Sequence, residues 1–97
     1  MKIESPYKII ICDDHILFRD GVKLLIETEK IGTVIAQAEN GQEFLNIIEN
    51  KKPDVVLMDI DMPIMGGIEA TQKATKKYPD IKSLFFLCLA KKYCILK

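Results

Sequence analysis

Four short apolar runs recur along the chain: "KIIIC" at 8–12, "TVIAQAE" at 33–39, "DVVLMD" at 54–59 and "IKSLFFL" at 81–87. Each is separated from the next by a segment whose apolar residues follow helical spacing. Strands that stay apolar along their length are buried on both faces, and strands joined through helices pair in parallel by right-handed crossovers. The order β-α-β-α-β-α-β therefore predicts an α/β doubly wound parallel sheet with helices on both faces. Ninety-seven residues suffice for one such domain.

The helices have readable ends. In "HILFRDGVKLLIETEK", Ile16, Leu17, Val22, Leu24, Leu25 and Ile26 are expected to crowd one side, with Asp14 as N-cap and Gly32 as stop. Asn40-Gly41 is a turn signal before "QEFLNIIENKK", whose Phe44, Leu45, Ile47 and Ile48 share a face, and Pro53-Asp54 breaks that helix. "IEATQKATKKY" is an amphipathic helix closed by Tyr78-Pro79.

Composition removes several classes of function. Fourteen basic and fourteen acidic residues cancel, so no bulk field recruits nucleic acid or an anionic membrane. No apolar run approaches the roughly 20 residues that span a bilayer, and "MKIESPYK" lacks a signal-peptide core. A cytoplasmic protein without membrane contact is expected. Three cysteines show no paired metal spacing, and Cys12, inside an apolar run, reads as a buried free thiol. The terminal "CILK" has the outline of a prenylation box, but Lys97 is unlike its usual last residue.

Chemistry in an open parallel α/β sheet gathers at the carboxyl ends of the strands. Asp13 and Asp14 end the first apolar run and Asp59 ends the third. Taken singly, each acid reads as a helix cap or the start of a loop. Three at the ends of two apolar strands read as one pocket. Two unit charges about 4 Å apart repel by roughly 4 kcal/mol at an effective dielectric near 20, so such a pocket favours a cation. All-oxygen donors suit Mg²⁺, which binds one or two carboxylates and keeps waters that a phosphate can displace. One carboxylate is then available as a nucleophile towards phosphorus. His15, the only histidine, could serve as ligand or base, but as the first helical residue it is expected to face solvent.

"IIICDDHILFRDGVKLLIE" and "PDVVLMDIDMPIMGGIEAT" resemble the receiver domain of two-component response regulators, in the NarL/LuxR-type class whose receiver precedes a helix-turn-helix domain. The resemblance covers residues 8 to 82. It implies a flavodoxin-like, CheY-like sheet, here of order 2-1-3-4, in which Asp59 accepts a phosphoryl group from a sensor histidine kinase. It also implies Mg²⁺ ligated by Asp14, Asp59 and the backbone carbonyl of Asp61, with Asp13 acting through water. Pro63 and Gly67 match the loop after the acceptor as rigid turn and helix entry. "DID" is also similar to the Asp-x-Asp of haloacid-dehalogenase phosphatases, where the motif lies in the first strand.

Beyond residue 87 the pattern departs from the family. The switch hydroxyl falls at Leu87 or Cys88, neither of which has one, and Lys91 and Lys92 come too early to match the lysine of the fifth strand. The reading is therefore of an N-terminal extension (1–7), a truncated receiver (8–87) without its fifth strand and last two helices, and an atypical tail (88–97) of the kind a frameshift would leave. A DNA-binding output domain is then absent from this chain, which would not bind DNA directly. With the fourth strand as an open edge, the fragment is expected to be marginally stable, or to dimerise or exchange segments. A receiver that no longer switches, serving as an interaction module, is the alternative function.

Overall fold

Three consecutive isoleucines form the centre of the first strand, and each neighbouring strand is apolar in phase with them. In the computed structural model, which describes residues 7–80 and the backbone of 82–85, β1 (Tyr7–Cys12) pairs in parallel with β2 (Gly32–Ala38) on one side and β3 (Val55–Met58) on the other. β4 (Lys82–Phe85) adds to β3, giving the order β2-β1-β3-β4. The helices α1 (Ile16–Thr28), α2 (Gly41–Ile48) and α3 (Gly67–Lys77) fill the three connections. This is the expected flavodoxin-like order, with β4 at an edge of the sheet among the described residues. The readings placed on residues 1–6 and 86–97, Leu87, Cys88, Lys91 and Lys92 among them, lie outside the described residues. Tyr7, assigned to the extension, already belongs to β1.

Strand alternation sorts the apolar side chains onto two faces. Ile10, Cys12, Val56 and Met58 pack with Phe44 and Ile48 of α2 and with Ala70 and Ala74 of α3. On the opposite face Ile9 and Ile11 meet Ile26 of α1, with Val22, Val34, Val55 and Leu57 at the margin. The first face is the better sealed, since Val56 and Met58 are fully buried while Val55 and Leu57 are only partly so.

Cys12 lies within the sealed face, 1% exposed. Burial pushes its thiol well above the ordinary thiol range, Asp13 and Glu43 add to the rise, and Arg19 opposes it. Because the thiolate is the reactive form, Cys12 should resist iodoacetamide at neutral pH in the folded chain and react only on unfolding. Peptide mapping after labelling, with and without denaturant, checks this; modification of the Cys12 peptide in the native protein would contradict it.

Helix ends correct three expectations. α1 does not begin on an Asp14 cap: His15 is the N-cap residue, and its N–H donates to Oδ1 of Asp13 at 2.9 Å. Nor does Gly32 stop α1. The helix ends at Thr28, Lys30 turns left-handed at φ 57°, and the N–H groups of Lys30 and Ile31 close onto the carbonyls of Glu27 and Ile26. That is a Schellman closure with a lysine where glycine is usual. Gly32 starts β2 because a Cβ there would come within 2.5 Å of the Tyr7 carbonyl oxygen. Asn40-Gly41 is a helix start rather than a free turn. The Asn40 side chain accepts from the N–H of Glu43 at 2.8 Å, and the Glu43 carboxylate accepts from the N–H of Glu39.

The packed side of α1 also differs from the one expected. Ile16, Leu17, Leu24 and Leu25 are exposed, whereas Arg19 and Ile26 are buried. The apolar residues of α1 wrap most of its circumference, so spacing alone could not choose the inward side. The series Arg19, Val22, Ile26 is the one that meets the sheet.

Candidate functional site

Register brings the acids together. Cys12 stands opposite Ala38 on one side and Met58 on the other, so Asp13 and Asp59 leave adjacent strands at the same level. The ladder runs one residue further: the Asp13 N–H donates to the Ala38 carbonyl at 3.0 Å and the Asp59 N–H to the Cys12 carbonyl at 2.9 Å. Both acids are held by backbone, and both are 1% exposed. Asp14, at the mouth, has a side chain 28% exposed.

Asp13, Asp14, His15 and Asp59 each offer one ligand atom, and these atoms lie within 4.8 Å of one another. The expected convergence of Asp13, Asp14 and Asp59 is therefore present. His15 is exposed as expected, and its ring also reaches the acids. Its Nδ1 lies 3.1 Å from Oδ1 of Asp14 and 3.3 Å from Oδ1 of Asp13, with the side chain 44% exposed. Asp61 is exposed, and its N–H donates to Oδ1 of Asp59 at 3.3 Å.

The loop from Asp59 to Gly66 closes the pocket from the side of β3. The Gly67 N–H donates to the Ile60 carbonyl at 2.8 Å, and the Met65 carbonyl accepts from the N–H of Gly41 at the start of α2 at 2.8 Å. Ile64, 82% exposed, takes φ 70°, a conformation that a β-branched residue adopts only under strain. Charge is sorted about this edge. The loops at 13–15, 39–40 and 59–66 carry Asp13, Asp14, Glu39, Asp59 and Asp61 and no lysine or arginine. Lys51, Lys52, Lys76 and Lys77 sit where α2 and α3 end, at the opposite edge of the sheet.

Sequence reasoning missed Arg19, which is 7% exposed and donates from Nη1 to the Asp13 carbonyl at 2.7 Å and from Nε to Oε1 of Gln37 at 3.1 Å. Its position three and seven residues before Val22 and Ile26 was the available signal.

The donor set fits a hard divalent cation: three carboxylates from two strand ends, two of them buried, can share an ion that prefers oxygen. Residues 9–91 match the family model of the response regulator receiver domain. Transcriptional regulatory protein DegU of Brevibacillus brevis is 44% identical over 81 residues, covering 84% of this chain and 34% of the relative. The chain thus spans about a third of that relative's length. Among solved structures, a LuxR-family two-component response regulator from Aurantimonas sp. SI85-9A1 superposes with TM-score 0.79 at 29% identity, over 94% of this chain and 66% of the other. The response regulator domain of Thermotoga maritima CheB gives TM-score 0.78 at 30% identity, over 84% and 60%. No helix among the described residues is long and apolar enough to cross a membrane.

Proposed function

Because the chain belongs to the response regulator receiver family, we propose that Asp59 is its phosphoacceptor and that a sensor histidine kinase is the donor. The family is a signalling phosphoacceptor family of two-component transcriptional regulation rather than one of catalytic enzymes, and a cognate histidine kinase follows from membership. The observation that carries the assignment is the buried Asp59 carboxylate within 4.8 Å of the Asp13 and Asp14 carboxylates at the ends of adjacent strands. In the transfer, an Asp59 oxygen bonds to phosphorus, the phosphorus–nitrogen bond of the phosphohistidine breaks, and its electron pair stays on the imidazole. The product is an acyl phosphate.

Asp14, Asp59 and the Asp61 carbonyl would hold Mg²⁺, with Asp13 acting through water. When bound, the ion would neutralise charge on the transferring phosphoryl group. The chain's own part is to fix Asp59 and keep its neighbours aligned. Asp59 is anchored through its N–H to Cys12, and Oδ1 accepts the Asp61 N–H. Three carboxylates within 4.8 Å repel pairwise by about 3.5 kcal/mol at an effective dielectric near 20, which explains a demand for a cation before a phosphoryl group can approach. The kinase encounter places the chain in the cytoplasm. A transcriptional output, as in the name of the DegU relative, is the natural reader of the signal.

Incubation with acetyl phosphate and Mg²⁺, followed by intact-mass measurement, tests this. One phosphoryl adduct per chain is expected, lost when EDTA replaces Mg²⁺. No adduct would favour an interaction module instead. Sustained phosphate release from many monoesters would favour the phosphatase, whose Asp-x-Asp belongs to a first strand whereas "DID" here follows β3.

A further inference from the structure

Arg19 is the one buried cation among the described residues, and it lies behind the acids rather than among them. Its guanidinium spans two elements. Nη1 donates to the Asp13 carbonyl at 2.7 Å and Nε to the Gln37 amide oxygen on β2 at 3.1 Å. That carbonyl belongs to the peptide joining Asp13 to Asp14, so whatever holds it sets the direction in which Asp14 leaves β1.

Asp13 is held at further points as well. Its N–H donates to the Ala38 carbonyl at 3.0 Å, and its Oδ1 receives the His15 N–H at 2.9 Å and lies 3.3 Å from the His15 Nδ1. Arg19 adds a hold on the carbonyl of the peptide that follows, where the acidic turn leaves the strand. We infer that Arg19, braced by Gln37, is a positioning residue of the acidic site, acting through the Asp13–Asp14 peptide to aim the Asp14 carboxylate at the cation. The inference rests on the phosphoacceptor reading for its consequence, though not for its geometry.

A planar guanidinium with fixed donors can serve both acceptors at once, whereas a single ammonium is a point charge on a flexible stem. Arg19→Lys therefore keeps the charge and loses the fork. Neutral substitutions are less informative, because removing a positive charge would by itself tighten cation binding. Gln37→Ala complements the test by leaving Arg19 in place without its brace.

Mg²⁺ affinity is measured by calorimetric titration of the full chain without phosphodonor. Adduct formation from acetyl phosphate is then followed against Mg²⁺ concentration. Groups that orient metal ligands typically matter by 10–100-fold, so half-saturating Mg²⁺ should rise about tenfold in Arg19→Lys and about threefold in Gln37→Ala. The rate at saturating Mg²⁺ should stay within about twofold of the parent, since Arg19 touches no reacting atom. A lowered melting midpoint with unchanged Mg²⁺ affinity in Arg19→Lys would overturn the inference and leave Arg19 as a packing residue. If Arg19→Lys does not fold, Gln37→Ala decides, and unchanged affinity there is equally adverse. A parent chain that binds Mg²⁺ but takes no phosphoryl group would sink the phosphoacceptor reading alone, with the titrations still judging Arg19. A parent chain that binds no Mg²⁺ sinks both.

Discussion

Asp59→Asn is expected to abolish phosphoryl uptake outright while leaving the fold in place. The replacement is nearly isosteric, and its amide oxygen can still accept the Asp61 N–H that Oδ1 accepts now. The backbone anchor to Cys12 is untouched. What disappears is the carboxylate nucleophile of the proposed acceptor, so uptake by Asp13 or Asp14 in its place would argue against the assignment. Removing one of three clustered charges also relieves about 3.5 kcal/mol of repulsion per lost pair at an effective dielectric near 20, before solvent screening. The metal-free variant should therefore melt no lower than the parent, although its Mg²⁺ affinity falls. Intact-mass measurement after acetyl phosphate and thermal unfolding without metal check the two halves. An adduct on the variant would move the acceptor elsewhere, and a collapse in melting temperature would mean that Asp59 serves the fold rather than the chemistry.

Gly67→Ala should damage fold and site together. A Cβ at Gly67 would stand 2.0 Å from the carbonyl oxygen of Asp59, 2.9 Å from its carbon and 2.8 Å from Cγ of Met58. The Met58 side chain can shift by rotation. The Asp59 carbonyl can shift only together with the peptide that leaves Asp59. Either the start of α3 retreats, breaking the 2.8 Å hydrogen bond from Gly67 to Ile60, or the Asp59 peptide rotates. Overpacking of this kind costs about 3 kcal/mol. For a chain of this size, that lowers the melting midpoint by well over about 10 °C. Adduct formation should fall at least tenfold in whatever fraction remains folded, since misplacing a reacting group by about 1 Å costs around a hundredfold. Gly21→Ala is the matched control. Nothing lies within 4 Å of the added carbon in mid-α1, so the same change there should be neutral or stabilising by up to about 1 kcal/mol. Equal melting temperatures for the two variants would refute the steric argument.

The strands were legible because each of the runs around Ile10, Val34 and Val56 is short, apolar and followed by helical spacing, while their order in the sheet came from the resemblance of the two long motifs to receiver domains. The acidic pocket was legible for the same reason: once two parallel neighbours are known, acids that end them must meet. Less of α1 could be read. Leucines and isoleucines occupy both its exposed and its buried sides, and the inward side is chosen by how a buried arginine reaches the Asp13 carbonyl. That contact couples residue 19 to residues 13 and 37, which no local pattern encodes. The closure of α1 was misplaced because Lys30 takes a left-handed turn that glycine usually takes, while the nearby glycine answers to crowding by Tyr7. His15 was read correctly as exposed, but only the fold shows two carboxylates beside it.

A formal charge of zero conceals how this chain meets other molecules. Among the described residues, acids without lysine or arginine crowd the loops at one edge of the sheet, whereas at the other edge, where α2 and α3 end, lysines alternate with Glu49, Asp54 and Asp80. Among the described residues, the edge that holds Asp59 is therefore a negative pole. A basic surface within roughly 8 Å, the screening length at physiological salt, exerts a torque before it makes a contact and turns that pole towards itself. Orientation is then settled by the approach, and only affinity is left to the fit.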